Sequence, residues 1–528
     1  MALCTALRLT GASLVFALAG PACTGGPSGS QGTSETGASG DSEDTLESEA
    51  EEAESTETGQ ADLDPQIEFQ LYEAQPMVVD VHLSVQIPLD DAAAEVSWSH
   101  QFDPGVQFVH VLSSEDELEH TFRIRGLAPE TAHQVSVQVS ANGQSESLDG
   151  EFTTPTALPG FEPTVPVIGQ SPNPDIYRLF DWSRLNGGAC GIMLSDAEGQ
   201  VRWYWGREFV EGAQSVIEGV KLLDDGSVLF TVADRVTIRD ELSNIVWQIA
   251  ATDYDLAYFH HETLQLPNGN FMTLGREFGT FDYGAQGELV IAGDTILEFD
   301  ADGVLVWTWS SLEHLDPMRV RAGFEPLIPS IFDPVSGDPA KDWTHANSIE
   351  YSPDEDTLLL SLRHQDWILK IDHVTGDVLW KLGDEGDFTL ESGTWFFHQH
   401  APQWQADGSL LLYDNASDNP YTPVEAWAAR AVRYELDYTA MTATQVWEDD
   451  MPDFLSPAMG DVDVMPNGNY LVTDSFLGLE VGIEAIHARI REIDPSASPQ
   501  IQWTFATEPG RIMYRGVPVD RMVGAPAP

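Results

Sequence analysis

From about Gly160 to the C-terminus, apolar positions come in short alternating runs, each closed by turn residues. This period-two pattern predicts half-buried strands rather than helices. One unit recurs six times as a strand ending in Asp, a turn, and a strand ending in Trp: GIMLSDAEGQVRW, VTIRDELSNIVW, ILEFDADGVLVW, ILKIDHVTGDVLW, VRYELDYTAMTATQVW and IREIDPSASPQIQW. The six tryptophans, Trp203, Trp247, Trp307, Trp380, Trp447 and Trp503, fall 44 to 73 positions apart, the length of a four-stranded blade with variable loops. The expected fold is all-β, with residues 160–528 forming a six-bladed β-propeller.

Residues 64–159 carry a different alternation, in short runs such as IEFQLYEAQPMVVDVHLSVQI and HTFRIRGLAPETAHQVSVQVS. They predict a small antiparallel β-sandwich. The stretch RIRGLAPETAHQVSVQVS resembles the corner of a fibronectin type III domain, with His133 where that family usually has Tyr. Residues 23–63 are almost devoid of apolar side chains and read as a disordered acidic tether, because they cannot bury enough surface to offset their ordering entropy. Residues 1–22 read as a secretory signal: a lone Arg8, an apolar run from about Leu9 to Ala19, then small residues before Cys23. Lipidation of Cys23 is expected, with ordinary cleavage after Ala22 as the alternative; the protein is then exported and tethered to a membrane, in the periplasm or at the cell surface. Only Cys190 remains in the folded part, so no intramolecular disulfide is expected.

The charge balance narrows the partners. Twenty-four Lys and Arg against 86 Asp and Glu give a formal net charge of -62. Nucleic acid is excluded, since it needs a clustered basic footprint. An anionic substrate would have to be held by a local cationic cluster, which makes every Arg or His in a candidate site informative.

A second unit is interleaved with the first: EGVKLLDDGSVLFT, HETLQLPNGNFMTL, HANSIEYSPDEDTLLLS, HAPQWQADGSLLLYD and GDVDVMPNGNYLVTD. It opens on Glu218, His261, His345, His400 and Gly460, and in all but the third the opening residue lies eight positions before a turn glycine. Equivalent positions in successive blades surround one channel, so His261, His345 and His400 are expected to converge. His260 adjoins His261 and points the opposite way if the strand is regular; it is the fallback for the same role. In TWFFHQHAPQW, strand alternation puts His398 on the face of His400 and Gln399 on the other. Arg363 ends the apolar strand in LLLSLRHQDW, where a guanidinium can hold a tetrahedral oxyanion by two bonds, and Asn347 adds an amide donor. Three imidazoles, a guanidinium and an amide, with no convergent carboxylate or thiolate, suit an oxyanion. A three-histidine set is compatible with zinc, but there is no HExxH spacing and an Arg in the shell repels a cation, so neither metal nor cofactor is expected.

At DWTHANSIEY, LSLRHQDWILKID, VLWKLG, FFHQHAPQW and LLLYDNASDN, with FHHETLQLPNGN earlier, the chain resembles the bacterial arylsulfotransferase family over roughly Ile168 to Trp503. The resemblance implies a six-bladed propeller that moves a sulfuryl group from an aryl sulfate to a phenolic acceptor without a nucleotide donor. It implies His400 as nucleophile, forming a sulfohistidine in a ping-pong cycle, with His345, Asn347, Arg363 and His261 in the family's other motif positions, and His261 or His345 protonating the leaving oxygen. The chain lacks the cysteines of family members that have a disulfide near the site, and His398 has no role to inherit. Two other classes share such repeats: quinone-dependent propeller dehydrogenases, which usually have eight blades and calcium, and non-catalytic tethered propellers that bind a surface partner.

Overall fold

The computed structural model describes residues 63–86, 94–100, 107–108, 118–141, 143–157, 164–185, 189–208, 216–232, 234–321, 330–333, 336–450 and 454–527. The expected leader, Cys23 and the tether up to residue 62 lie outside the described residues. Within them the chain is nearly all strand; the longest α-helical piece is the single turn Ser311–His314. No helix among them is long and apolar enough to cross a membrane.

The N-terminal unit has two antiparallel sheets. One joins Gln66–Leu71, Val78–Ser84 and Glu119–Arg125; the other joins Gln107–Phe108, Ala94–His100, Ala132–Ala141 and Gln144–Thr153. Alternation puts Val79, Val81, Leu83, Phe122, Ile124, Val135, Val137 and Val139 in one buried cluster. His133 takes over the expected tyrosine's work at the corner: its Nε2–H donates to the Ala128 carbonyl at 3.1 Å and its ring stacks on Phe152.

The rest of the described chain forms six sheets of four or more strands, in chain order. Their second units contribute the strands Ile217–Leu222, Phe259–Gln265, Ala346–Ser352, His400–Trp404 and Asp461–Val464 at one edge. In the first sheet that edge position is filled from the C-terminus: Gly516–Val519 pairs with Tyr177–Arg184. Val167–Gly169, in turn, adds an outer strand to the sixth sheet on Ile501–Ala506. Each end of this region therefore completes a sheet begun by the other.

The Asp-turn-Trp repeat has a physical reason. Each Asp carboxylate accepts backbone N–H groups of its own turn: Asp196 from Gln200, Asp240 from Asn244, Asp300 from Val304, Asp372 from Thr375, Asp437 from Thr439 and Asp494 from Ser496. The Trp indole then donates to the turn of the next sheet. Trp203 reaches the Glu241 carbonyl, Trp247 that of Ala301, and Trp447 that of Pro495. Trp503 reaches back to the Ala197 carbonyl at 2.8 Å, joining the sixth sheet to the first. In the third sheet Trp307 keeps the repeat's register, opposite Glu298, but Trp309 donates forward, to Gly376, while Trp307 packs edge-on against His373.

Candidate active site

The strands that carry the second unit do not begin as regular strands. Gly219, His261, His345, Ala401 and Gly460 all have positive φ, between 48° and 110°. The pairing register shifts directly after Glu218, His260, Ala346 and His400. Left-handed backbone costs a residue with a Cβ about 1–3 kcal/mol, and such strain concentrates at functional sites. The eight-residue spacing is therefore a residue out between sheets: His261 is itself the left-handed residue, whereas His400 precedes one, as His260 does. Where space is tightest the residue is glycine. A Cβ on Gly219 would lie 2.8 Å from the Thr263 nitrogen, so Gly219→Ala should cost about 1–3 kcal/mol in chemical or thermal unfolding.

Despite this irregularity, the three expected histidines meet. The His261 and His345 rings are 4.9 Å apart, centroid to centroid, and Tyr514 faces both His261, at 5.5 Å, and His400, at 6.2 Å. Tyr514 comes from the C-terminal segment, is fully buried, and donates its hydroxyl to the Asn347 carbonyl at 2.6 Å.

His400 is held by the residue that follows the next strand, Leu410–Asp414. Its Nδ1–H donates to Asn415 Oδ1 at 2.6 Å. Asn415 is oriented unambiguously, because its Nδ2 donates to the carbonyls of Ser456 and Met459 at 2.7 and 2.8 Å. The amide oxygen therefore faces His400, the proton sits on Nδ1, and Nε2 keeps its lone pair. Burial, followed by the charge of Arg363, pushes the His400 pKa well below its ordinary 6.5, so the ring is neutral.

His345 Nδ1–H donates to Asp342 Oδ2 at 2.6 Å. Burial lowers the His345 pKa, and Asp342 pulls it partly back. Burial acts to raise the Asp342 carboxyl, but Arg276 and His345 outweigh it and hold the group well below the usual range. This corrects the expectation of a site without carboxylates. Asp342 lies directly behind His345, Asp294 behind His260, and Glu218 Oε2 accepts the His261 backbone N–H at 2.7 Å.

Arg363 sits in the turn Arg363–Gln365, and its backbone N–H donates to the His345 carbonyl at 3.1 Å. Its Nη1 donates to His364 Nε2 at 2.6 Å and its Nη2 to the Pro457 carbonyl at 2.9 Å. Burial lowers its pKa to about 10, so it remains a cation at neutral pH.

Three other expected residues occupy different positions. The strand begins at His400, and His398 has φ 56°, so alternation does not apply between them. His398 lies one step back, its Nδ1–H donating to Ser417 and its Nε2 accepting from Arg321. Gln399 is buried and donates to Ser361. Asn347 falls at the register shift, where its Nδ2 donates to the Gln399 carbonyl at 2.7 Å and so braces the backbone just before His400. His260 does not turn away from its neighbour, because the left-handed backbone at His261 brings the two Nδ1 atoms to 2.9 Å.

Asp342, His345 and His364 each offer a ligand atom within 4.8 Å of the others. These atoms are already engaged: Asp342 with His345 and Arg276, and His364 Nε2 with Arg363. Sequence reasoning missed Asn415, Asp342, His364 and Tyr514. The first three stand inside the quoted motifs, at positions whose partners only the fold reveals; nothing in the sequence marks Tyr514.

A protein-family model described as arylsulfotransferase (ASST) matches residues 179–515, and one described as arylsulfotransferase Ig-like domain matches residues 72–157. Arylsulfate sulfotransferase AssT of Escherichia coli O6:H1 is 25% identical over 339 residues, covering 52% of this chain and 56% of that protein. The chain thus matches little more than half the length of this relative. Among solved structures, the periplasmic gluconolactonase PpgL of Pseudomonas aeruginosa aligns with 14% identity and a TM-score of 0.36, covering 65% of this chain and 99% of that one. Hydrazine synthase of Kuenenia stuttgartiensis aligns with 11% identity and a TM-score of 0.32, covering 58% and 70%.

Proposed function

Because the chain belongs to the arylsulfotransferase family, we propose that its six sheets act as the blades of a β-propeller that transfers a sulfuryl group from an aryl sulfate to a phenol. The transfer runs through a sulfohistidine at His400, in a domain that is exported and tethered through Cys23. The observation that carries this reading is the fixed tautomer of His400, whose Nε2 lone pair is the only ring atom left to react. Nε2 attacks sulfur in line, the bond from sulfur to the aryl oxygen breaks, and the oxygen leaves with the electron pair. Charge on the sulfuryl oxygens and the departing phenolate is stabilised by Arg363, with His261 as the proton-bearing group beside it. The phenol acceptor then attacks the sulfohistidine by the reverse path. Asn347 and Asn415 hold His400 in place, and Tyr514 closes the side of the site.

Steady-state assays with a chromogenic aryl sulfate and varied phenol should give parallel double-reciprocal lines, the sign of a ping-pong cycle. Intersecting lines would contradict the covalent reading. The pH dependence follows from the lowered pKa of His400. The neutral ring is the nucleophile, and with its folded pKa well below 6.5 it stays neutral as pH falls through that value. The single-turnover rate with an activated donor should therefore stay flat from about pH 8 to about pH 6. Halving of that rate near the ordinary histidine pKa would show that the nucleophile is an unperturbed imidazole.

A further inference from the structure

Behind His261 lie groups that this reaction leaves unused. His260 Nδ1 is 2.9 Å from His261 Nδ1, and His260 Nε2 is 3.1 Å from Asp294 Oδ1. His260 and Asp294 are 3% and 1% exposed. The three residues form a line from carboxylate to imidazole to imidazole, ending at the ring that meets His345. The left-handed backbone at His261 makes this line possible, since a regular strand sends adjacent side chains to opposite faces.

The far end of the line is anchored. Asp294 Oδ2 accepts the Thr344 hydroxyl at 2.7 Å and the Ala346 N–H at 2.5 Å. Arg276 stands between two carboxylates, with Nε 3.6 Å from Asp294 Oδ1 and Nη1 3.4 Å from Asp342 Oδ1. Two carboxylates and one guanidinium leave one negative charge beside His260. The other groups facing the line are Glu218, whose Oε1 is 3.9 Å from His261 Nδ1, and Tyr258, whose ring lies 5.9 Å from His260 and beneath Arg276. Burial, with the neighbouring charges of His260 and His345, keeps His261 itself neutral. A proton donor for a departing phenolate is thus better charged one residue back, beside Asp294, than at the mouth of a site that already holds Arg363.

We propose that Asp294, His260 and His261 form a proton relay that serves the leaving and attacking phenol oxygens, with His260 holding the stored proton. The inference rests on the sulfuryl-transfer reading. As the bond from sulfur to the aryl oxygen breaks, His261 gives its Nε2 proton to that oxygen and receives the Nδ1 proton of His260. His260 is left neutral, with its remaining proton on Nε2 toward Asp294. One positive charge leaves the relay as one negative charge is neutralised on the phenolate. The acceptor phenol returns a proton to His261 Nε2 in the second half, and His260 is recharged. His260 and Asp294 are positioning residues in this scheme, acting through His261.

The test compares donors whose phenols differ in acidity. A relay matters most where the leaving group is a poor one, and general acid catalysis contributes roughly 10²–10⁴-fold. For His260→Asn, the ratio of kcat/KM for 4-nitrophenyl sulfate to that for phenyl sulfate should rise about thirtyfold or more over the unaltered chain. Asp294→Asn, which retains one oxygen for Thr344 and Ala346, should show the same selective loss. Equal losses on both donors, in either variant with unchanged thermal unfolding, would overturn the relay. In the same samples, His400 is checked for a sulfuryl group by mass after exposure to 4-nitrophenyl sulfate. Its absence from the unaltered chain would overturn the underlying function instead.

Discussion

His400→Asn should lose aryl sulfate turnover by roughly 10⁴-fold or more while keeping its fold, because the residue supplies the attacking nitrogen, whose lone pair is fixed by the bond to Asn415. The asparagine amide can still face Asn415, and no buried charge is created, so unfolding should shift little. Loss of a group that merely binds substrate would raise KM and spare kcat. Loss of the nucleophile removes kcat and the covalent intermediate together. The two halves of the cycle should disappear at once: neither release of the phenol from the donor nor transfer to an acceptor should survive. Stopped-flow measurement of the first turnover separates these cases, and a normal burst in the variant would place the nucleophile elsewhere.

The second large effect belongs to Arg363. Its guanidinium is fixed through His364 Nε2 and the Pro457 carbonyl, and its backbone is tied to the His345 carbonyl. A donor held in this way meets developing charge without reorganising, and the loss of one such group costs about 10²–10³-fold in kcat. Arg363→Lys should lose nearly as much as Arg363→Ala. A lysine ammonium presents a point charge and cannot make both fixed bonds in the geometry of the fork. Removal of the cation should also let the His400 pKa rise, since Arg363 is the second cause of its depression after burial. The pH profile of Arg363→Ala should therefore acquire an acidic limb that the unaltered chain lacks. If Arg363→Lys retained full kcat, charge alone would be sufficient and the geometric argument would fail.

The histidines could be read from the sequence because they recur in register with turn glycines, and a repeat relates residues more than a hundred positions apart without a structure. The same logic recovered the Asp-turn-Trp units, whose aspartates and tryptophans do chemistry local to a turn and its neighbour. Orientation was not legible. His260 and His261 share a side, and His398 and His400 do not behave as strand neighbours, because positive φ breaks the two-residue period and histidine does not announce that conformation as glycine would. The supporting layer was hidden for another reason. Asn415 acts on His400 from just past the end of the next strand, Asp294 acts on His260 from two strands away in the same sheet, and Tyr514 arrives from the end of the chain. Each belongs to a pairing that only sheet topology defines.

Mass mapping of the chain after incubation with an aryl sulfate and no acceptor tests the central claim most directly. The account predicts one sulfuryl group, on the peptide containing His400, removed when a phenol is added. Transfer activity with no covalent adduct, or an adduct on His261 or His345 in its place, would contradict it.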